Sequence, residues 1–271
     1  VVAIDAVRAN EEQWKGWEEE GYVVVEGAVS GESLARLQSA FDRGVEASKA
    51  AWLEDVAVGH RSSSYFDLPN AFQQDDIFLD MVDNPNTLGL LRDFLGEDMI
   101  ARGLTARSVP PCPISYVGWH PDMHRDRHPQ HIKVQVYVND VAEERGAFAY
   151  VPGSHKEGAG PYPRVKHLDA MPGHRVLPGK AGTAVIFNTY GWHTSMINRT
   201  LEPRKSLIMS YCVFHELNDR WSQAPERKRA RAEMRAKLSP ERQYLFGHDR
   251  GDGTGKGQKA EGRGRAEDKK R

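Results

Sequence analysis

The sequence predicts a mainly β protein, a sandwich or jelly roll with helices packed along its edge. Three observations carry this. Residues 132–138 alternate strictly between apolar and polar, from Ile132 through Val134 and Val136 to Val138, as a half-buried strand should. Residues 183–188 and 206–214 are two further strand candidates of β-branched and aromatic character. Between these stretches lie connectors rich in Pro and Gly, at 151–154 and 177–182.

The elements follow in order. Residues 9–55 read as helical with a short strand inside. Asn10 is a capping residue followed by Glu11 and Glu12 in the first turn. Residues 21–27 are β-rich and bounded by Gly21 and Gly27. A helix opening near Ser30 places Leu34, Leu37 and Phe41 on one face. Another covers 84–96, with Leu88, Leu91 and Leu95 as its apolar stripe and Gly96 at its end. The texture turns to β from about residue 103. Beyond Trp221, residues 225–238 fit a charged helix with a solvated face, and 242–247 fit a segment docking back on the body. Residues 249–271 hold no large apolar side chain and are expected to be disordered.

A chain of 271 residues with 39% hydrophobic and 28% charged residues can bury one substantial core. No apolar run approaches the ~20 residues that span a bilayer, and the first residues lack the pattern of a secretory signal. Only Cys112 and Cys212 occur, with no Cys-x-x-Cys pairing. Reduced thiols and a cytoplasmic location are therefore expected. The net charge of −1 conceals an asymmetry, because residues 225–271 carry fifteen Lys and Arg against eight Asp and Glu. The body is thus mildly acidic, which argues against nucleic-acid binding by it.

Chemistry concentrates at four residues. His120 and Asp122 form a His-x-Asp pair, answered by His193 and then by Arg204. Two imidazoles and one carboxylate hold mononuclear non-haem Fe(II) while leaving one face of the metal open. An arginine downstream could grip a carboxylate in a bidentate fork. His124 and Asp126 repeat the His-x-Asp spacing four residues later and are an internal rival. His155 reads as structural, and the other histidines have no evident ligand partner. A zinc-protease reading fails, because the segment 120–124 lacks the Glu of His-Glu-x-x-His and carries Pro121 where a helix would have to continue.

Several blocks together resemble the phytanoyl-CoA dioxygenase family of Fe(II)/2-oxoglutarate-dependent oxygenases. They are residues 21–27 with the leucine-patterned helix after them, Pro110-Pro111 through Tyr116 to Asp122, residues 136–140, and the stretch from Gly146 to the Pro152-Gly153-Ser154-His155 turn. Residues 182–187, Trp192-His193 and 198–204 complete the pattern. The resemblance spans about 10–215 and implies a double-stranded β-helix, a cupin-like jelly roll with flanking helices. It implies a dioxygenase domain over 1–222, with a helical part at about 9–100 and a jelly-roll core at about 101–215. Residues 223–271 are then a basic charged helix and a disordered tail.

By position, the resemblance makes His120, Asp122 and His193 the Fe(II) ligands. Arg204, helped by Ser195, would bind the distal carboxylate of the cosubstrate 2-oxoglutarate, with O₂ as oxidant. The implied reaction hydroxylates an unactivated C–H bond of a small molecule and releases succinate and CO₂. The carboxylate of Asp122 disfavours halogenation, for which that ligand position must be vacant. The competing readings are a cupin-type metalloenzyme that does not use 2-oxoglutarate, and a non-catalytic ligand-binding jelly roll. The loops 56–75, 123–131 and 156–176, with Arg61, Arg125, Arg127, Arg164, Lys166 and Arg175, suggest a polar or anionic substrate. Oligomeric state is not legible.

Overall fold

The alternation read at 132–138 belongs to the centre of a six-stranded antiparallel sheet. In the computed structural model, residues 6–112, 115–126, 130–165, 170–214 and 235–248 are described. The large sheet has the order β1 (Tyr22–Val25), β7 (Ala184–Asn188), β4 (His131–Tyr137), β9 (Arg204–Val213), β3 (Met99–Val109) and β2 (Phe66–Asp67). A second sheet has the order β6 (Arg175–Leu177), β5 (Phe148–Tyr150) and β8 (His193–Ser195). Every pairing in both is antiparallel. This is the expected jelly roll, two sheets face to face.

Strand alternation divides the interior into two cores. On one face of the large sheet, Ile132, Val134 and Val136 of β4 join Ala184 and Ile186 of β7 and Leu207, Met209 and Tyr211 of β9. Helices cover that face. They are α2 (Gly31–Ala57), α4 (Ile77–Val82) and α5 (Pro85–Leu95), which deliver Leu37, Phe41, Phe78, Leu88 and Leu91 to the same cluster. Each fully buried aliphatic or aromatic side chain contributes about 1.5–3 kcal/mol. The opposite face looks toward the small sheet, where Tyr137, Phe148, Tyr150, Val185 and Phe187 form the second core. Tyr137 joins the layers through its phenol, which donates to the Leu177 carbonyl at 2.6 Å and accepts from the Phe148 N–H at 3.1 Å.

The N-terminal reading holds with one refinement. Asn10 and Gln13 form a reciprocal capping box around α1 (Glu11–Lys15), with bonds of 2.9 and 3.0 Å. The turn then widens into a π-helix, Gly16–Glu20, before Gly21 closes it at φ 88°. The helix opening after Ser30 runs on to Ala57, beyond its apolar stripe. A short helix α3 (Ala71–Gln74) precedes α4. The docking segment is α6 (Pro240–Leu245), which brings Leu245 and the following Phe246 into the first core along with Leu238. Arg242 fastens it by a fork onto Asp83, at 2.8 and 3.0 Å, and a bond to Asp80 at 2.7 Å. Most of the expected charged helix at 225–238 and all of 249–271 lie outside the described residues. Among the described residues no helix is long and apolar enough to cross a membrane.

Gly182 shows how tightly the helical layer is seated. It has φ +84°, and a Cβ there would approach the Val29 carbonyl oxygen to 1.8 Å. Its own N–H and C=O bond to Tyr137 and Val29 at 2.7 and 3.0 Å. Gly182→Ala is expected to destabilise by at least the ~1–2 kcal/mol of a left-handed L-residue, with the clash added. Thermal unfolding would read this as a lowered midpoint, and an unchanged midpoint would show that the connector relaxes freely.

Candidate metal centre

The backbone ties two of the predicted ligands together directly. His193 opens β8, and His120 lies in the connection between β3 and β4. The two form an antiparallel bridge, His120 N–H to His193 C=O at 3.1 Å and His193 N–H to His120 C=O at 3.0 Å. Asp122 is placed by its own N–H, which donates to the Thr189 carbonyl at 3.0 Å. His-x-Asp therefore sits beside the distal histidine because a short strand-like contact spans the 71 residues between Asp122 and His193.

Hydrogen bonding fixes the tautomers. His120 Nδ1 contacts the Gly118 carbonyl at 2.7 Å, and His193 Nδ1 contacts the Gly191 carbonyl at 2.9 Å. A carbonyl only accepts, so each Nδ1 carries the proton and each Nε2 presents a lone pair. His193 Nε2 stands 3.2 Å from Asp122 Oδ2, and His120 Nε2 stands 3.8 Å from Oδ1. The three ligand atoms lie within 4.8 Å of one another. Asp122 Oδ2 is buried and takes no hydrogen bond, while Oδ1 accepts from Lys133 Nζ at 2.7 Å. Burial lowers the His193 imidazole, so it stays neutral. Burial alone would raise the Asp122 carboxyl, but it is held far below the usual carboxylate range, with the Lys133 ammonium at its Oδ1 among the causes. Two lone-pair nitrogens and a carboxylate oxygen thus converge on one point, an arrangement that a cation between them relieves.

Arg204 opens β9 and is wholly buried. Its Nη1 donates to Ser195 Oγ and to the Gly146 carbonyl, and Ser195 Oγ in turn donates to the same carbonyl at 3.2 Å. Its Nε and Nη2 are buried without a partner. Two such N–H donors on one guanidinium match the geometry of a planar oxyanion. Tyr116 lies between it and Arg107, with guanidinium carbons 5.8 and 5.0 Å from the ring centre. Burial would raise the Tyr116 phenol, but the two cations hold it below its ordinary value. Arg107 itself is locked by a fork onto Asp67, at 2.6 and 2.7 Å.

A cavity of about 120 Å³ is lined by His120, Asp122, His193, Tyr116, Ser195, Lys133 and Gln135 among others. Lys133 and Gln135 did not stand out in the sequence, where the polar phase of β4 resembles a solvent face. The small sheet covers that face, so its polar side chains point into the site. The rival His124 and Asp126 are exposed and lie outside the cluster. Of the arginines in the loops, Arg61 pairs with Asp55, Arg175 pairs with Glu20, and Arg125 bonds the His155 carbonyl and stacks on Tyr190. Arg127, His128 and Lys166 lie outside the described residues.

His155 keeps the structural part expected of it. It is buried beside the N-terminal turn, where a Cβ on Gly21 would meet its Nδ1 at 2.3 Å. Burial chiefly lowers its pKa, with Lys156 and Arg125 adding to this and the Glu18 backbone opposing it. The unfolded chain takes up this proton near pH 6.5, and the folded chain takes it up only at lower pH. Stability is therefore expected to fall as pH drops below about 6.5 until the folded value is passed. Thermal midpoints from pH 7.5 to 5 should slope less in His155→Gln; equal slopes would count against this assignment.

The chain is similar to known proteins over most of its length. The family model described as phytanoyl-CoA dioxygenase matches residues 17–206. The probable alpha-ketoglutarate-dependent hypophosphite dioxygenase of Stutzerimonas stutzeri is 23% identical over 232 residues, covering 74% of this chain and 78% of its own. Among solved structures, the non-heme alpha ketoglutarate dependent epimerase SnoN of nogalamycin biosynthesis superposes with a TM-score of 0.55. It is 20% identical and covers 75% of this chain and 83% of its own. HygX of Streptomyces hygroscopicus, solved with nickel, 2-oxoglutarate and hygromycin B, gives a TM-score of 0.59. It is 16% identical and covers 75% and 87%. These two likenesses show a shared fold.

Proposed function

The chain belongs to the phytanoyl-CoA dioxygenase family, and from that premise we propose an Fe(II)- and 2-oxoglutarate-dependent dioxygenase with His120, Asp122 and His193 as its metal ligands. The observation that carries this is the donor set. Two Nε2 lone pairs and the hydrogen-bond-free Oδ2 of Asp122 face one another within 4.8 Å. An N₂O set of this kind, on one side of a cavity, fits Fe(II) and leaves coordination positions for other ligands. When bound, the iron with 2-oxoglutarate and O₂ supplies oxidative decarboxylation, with succinate and CO₂ as coproducts.

The chain's own residues do the rest. Gly118 and Gly191 carbonyls orient the imidazoles, and Lys133 holds Asp122 by its other oxygen. Arg204, aimed by Ser195 and Gly146, binds the distal carboxylate of 2-oxoglutarate through the two nitrogens that now lack partners. The second core, with Phe148 and Phe187 against the cavity, keeps bulk water from the reacting face. The substrate is a small polar or anionic molecule, and the reaction is hydroxylation at a C–H bond. Asp122 fills the position that a halide would need. Both cysteines are free, in keeping with a cytoplasmic enzyme.

An anaerobic absorption titration with Fe(II) and 2-oxoglutarate tests this reading. A visible charge-transfer band at one equivalent of each is expected. Its absence from folded, metal-loaded protein would favour a cupin-type enzyme that does not use 2-oxoglutarate. Oxygen labelling of product from a substrate screen then separates hydroxylation from epimerisation or cyclisation, which leave no new oxygen in the product.

A further inference from the structure

Two donors on the cavity face of β4 have capacity that the reading above does not use. Gln135 is 3% exposed, lines the cavity, and its Nε2 has no hydrogen-bond partner. Lys133 lies two residues away on the same strand face, about 6–7 Å along it by strand geometry. It spends one N–H on Asp122 Oδ1 and lines the same cavity. Arg107, the other cation at the wall, is already neutralised by its fork onto Asp67.

We propose that Lys133 and Gln135 form an oxyanion subsite that holds the anionic group of a small monoanionic substrate beside the metal. This rests on the Fe(II)/2-oxoglutarate reading and deepens it. Charge points to a monoanion. With neutral imidazoles, a divalent ion, Asp122, Arg204 and a 2-oxoglutarate dianion compensate one another completely. The ammonium of Lys133 is then left over, one positive charge in a cavity of about 120 Å³. A partly buried cation beside an unsatisfied buried carboxamide favours an anion that can accept from both. The Asp122 bond fixes the ammonium in position, so the subsite is built before substrate arrives. Phosphinate and short carboxylates share the required chemistry, and size and shape separate them.

Calorimetric titration of the Ni(II)·2-oxoglutarate protein, which does not turn over, tests the subsite with hypophosphite and acetate as probes and acetamide as the neutral control. Metal and 2-oxoglutarate affinities are measured first for wild type, Lys133→Met, Lys133→Arg and Gln135→Leu. Wild type is expected to bind at least one of the anions saturably, one per chain, and not acetamide. Lys133→Met should weaken that binding by about 10-fold or more and Gln135→Leu by about 3- to 10-fold, as loss of a charged and a neutral hydrogen bond predicts. Lys133→Arg should retain most of it. Absence of saturable binding of either anion by wild type would overturn the proposal. So would anion binding unchanged in both Lys133→Met and Gln135→Leu, or a loss that falls on 2-oxoglutarate instead. Failure of the underlying reading is separable, since wild type would then not take up 2-oxoglutarate with the metal at all.

Discussion

Replacing Asp122 with alanine is expected to abolish the charge-transfer band formed with Fe(II) and 2-oxoglutarate and to stop 2-oxoglutarate consumption. Loss of a group that only supports a ligand costs roughly 10- to 100-fold in metal affinity or activity, and loss of a ligand should exceed that. Asp122 is also the partner of Lys133 at 2.7 Å and stands 3.2 Å from His193 Nε2. Its removal leaves a cation facing the two imidazoles in place of the metal. Circular dichroism of the variant separates this from unfolding. Asp126→Ala is the matched control, because Asp126 is exposed and outside the cluster, and its band should persist. If instead Asp126→Ala abolished the band and Asp122→Ala kept it, the ligand assignment would be wrong.

Replacing Arg204 with methionine is expected to raise the dissociation constant of 2-oxoglutarate by about 100-fold or more while metal affinity stays near wild type. Two hydrogen bonds to a charged group, each contributing about 1.5–3 kcal/mol, are lost. A second consequence has the opposite sign. In ligand-free protein Arg204 is a wholly buried cation with Nε and Nη2 unsatisfied, and such groups destabilise unless paired. Ligand-free Arg204→Met should therefore unfold no earlier than wild type, whereas saturating 2-oxoglutarate should raise the midpoint of wild type alone. A variant that unfolds early and still gains stability from 2-oxoglutarate would contradict both halves.

Long, regular features were legible in the sequence. The alternation from Ile132 onward, the stripe of Leu88 and Leu91, and the capping residue Asn10 each express one periodicity or one local bond, and each appears where expected. Short or mixed strands were not. β3 carries Arg102, Gly103 and Arg107 within its span and so breaks the alternation, though it pairs with β9 along most of its length. β6 and β8 have three residues each, too few to show a period. At the site, residue types and order marked His120, Asp122, His193 and Arg204. Lys133 and Gln135 stayed hidden because alternation tells that two faces differ, not what covers the polar one. The engagement of two loop arginines was hidden for the converse reason. Exposure and charge are visible in a sequence, but the carboxylates Asp55 and Glu20 that engage Arg61 and Arg175 are not.

The reciprocal backbone bonds between His120 and His193 bear on which metal the protein carries. Because main-chain pairing and the two glycine carbonyls hold the imidazoles, the coordinating atoms need no ion to gather them. Chelation should then leave a folded, reloadable protein. A ready-made N₂O pocket also ranks divalent ions by their intrinsic affinities, with Co, Ni and Cu ahead of Fe(II). Iron occupancy would be a matter of cellular supply, and the metal recovered on purification would record the medium in which the protein was made.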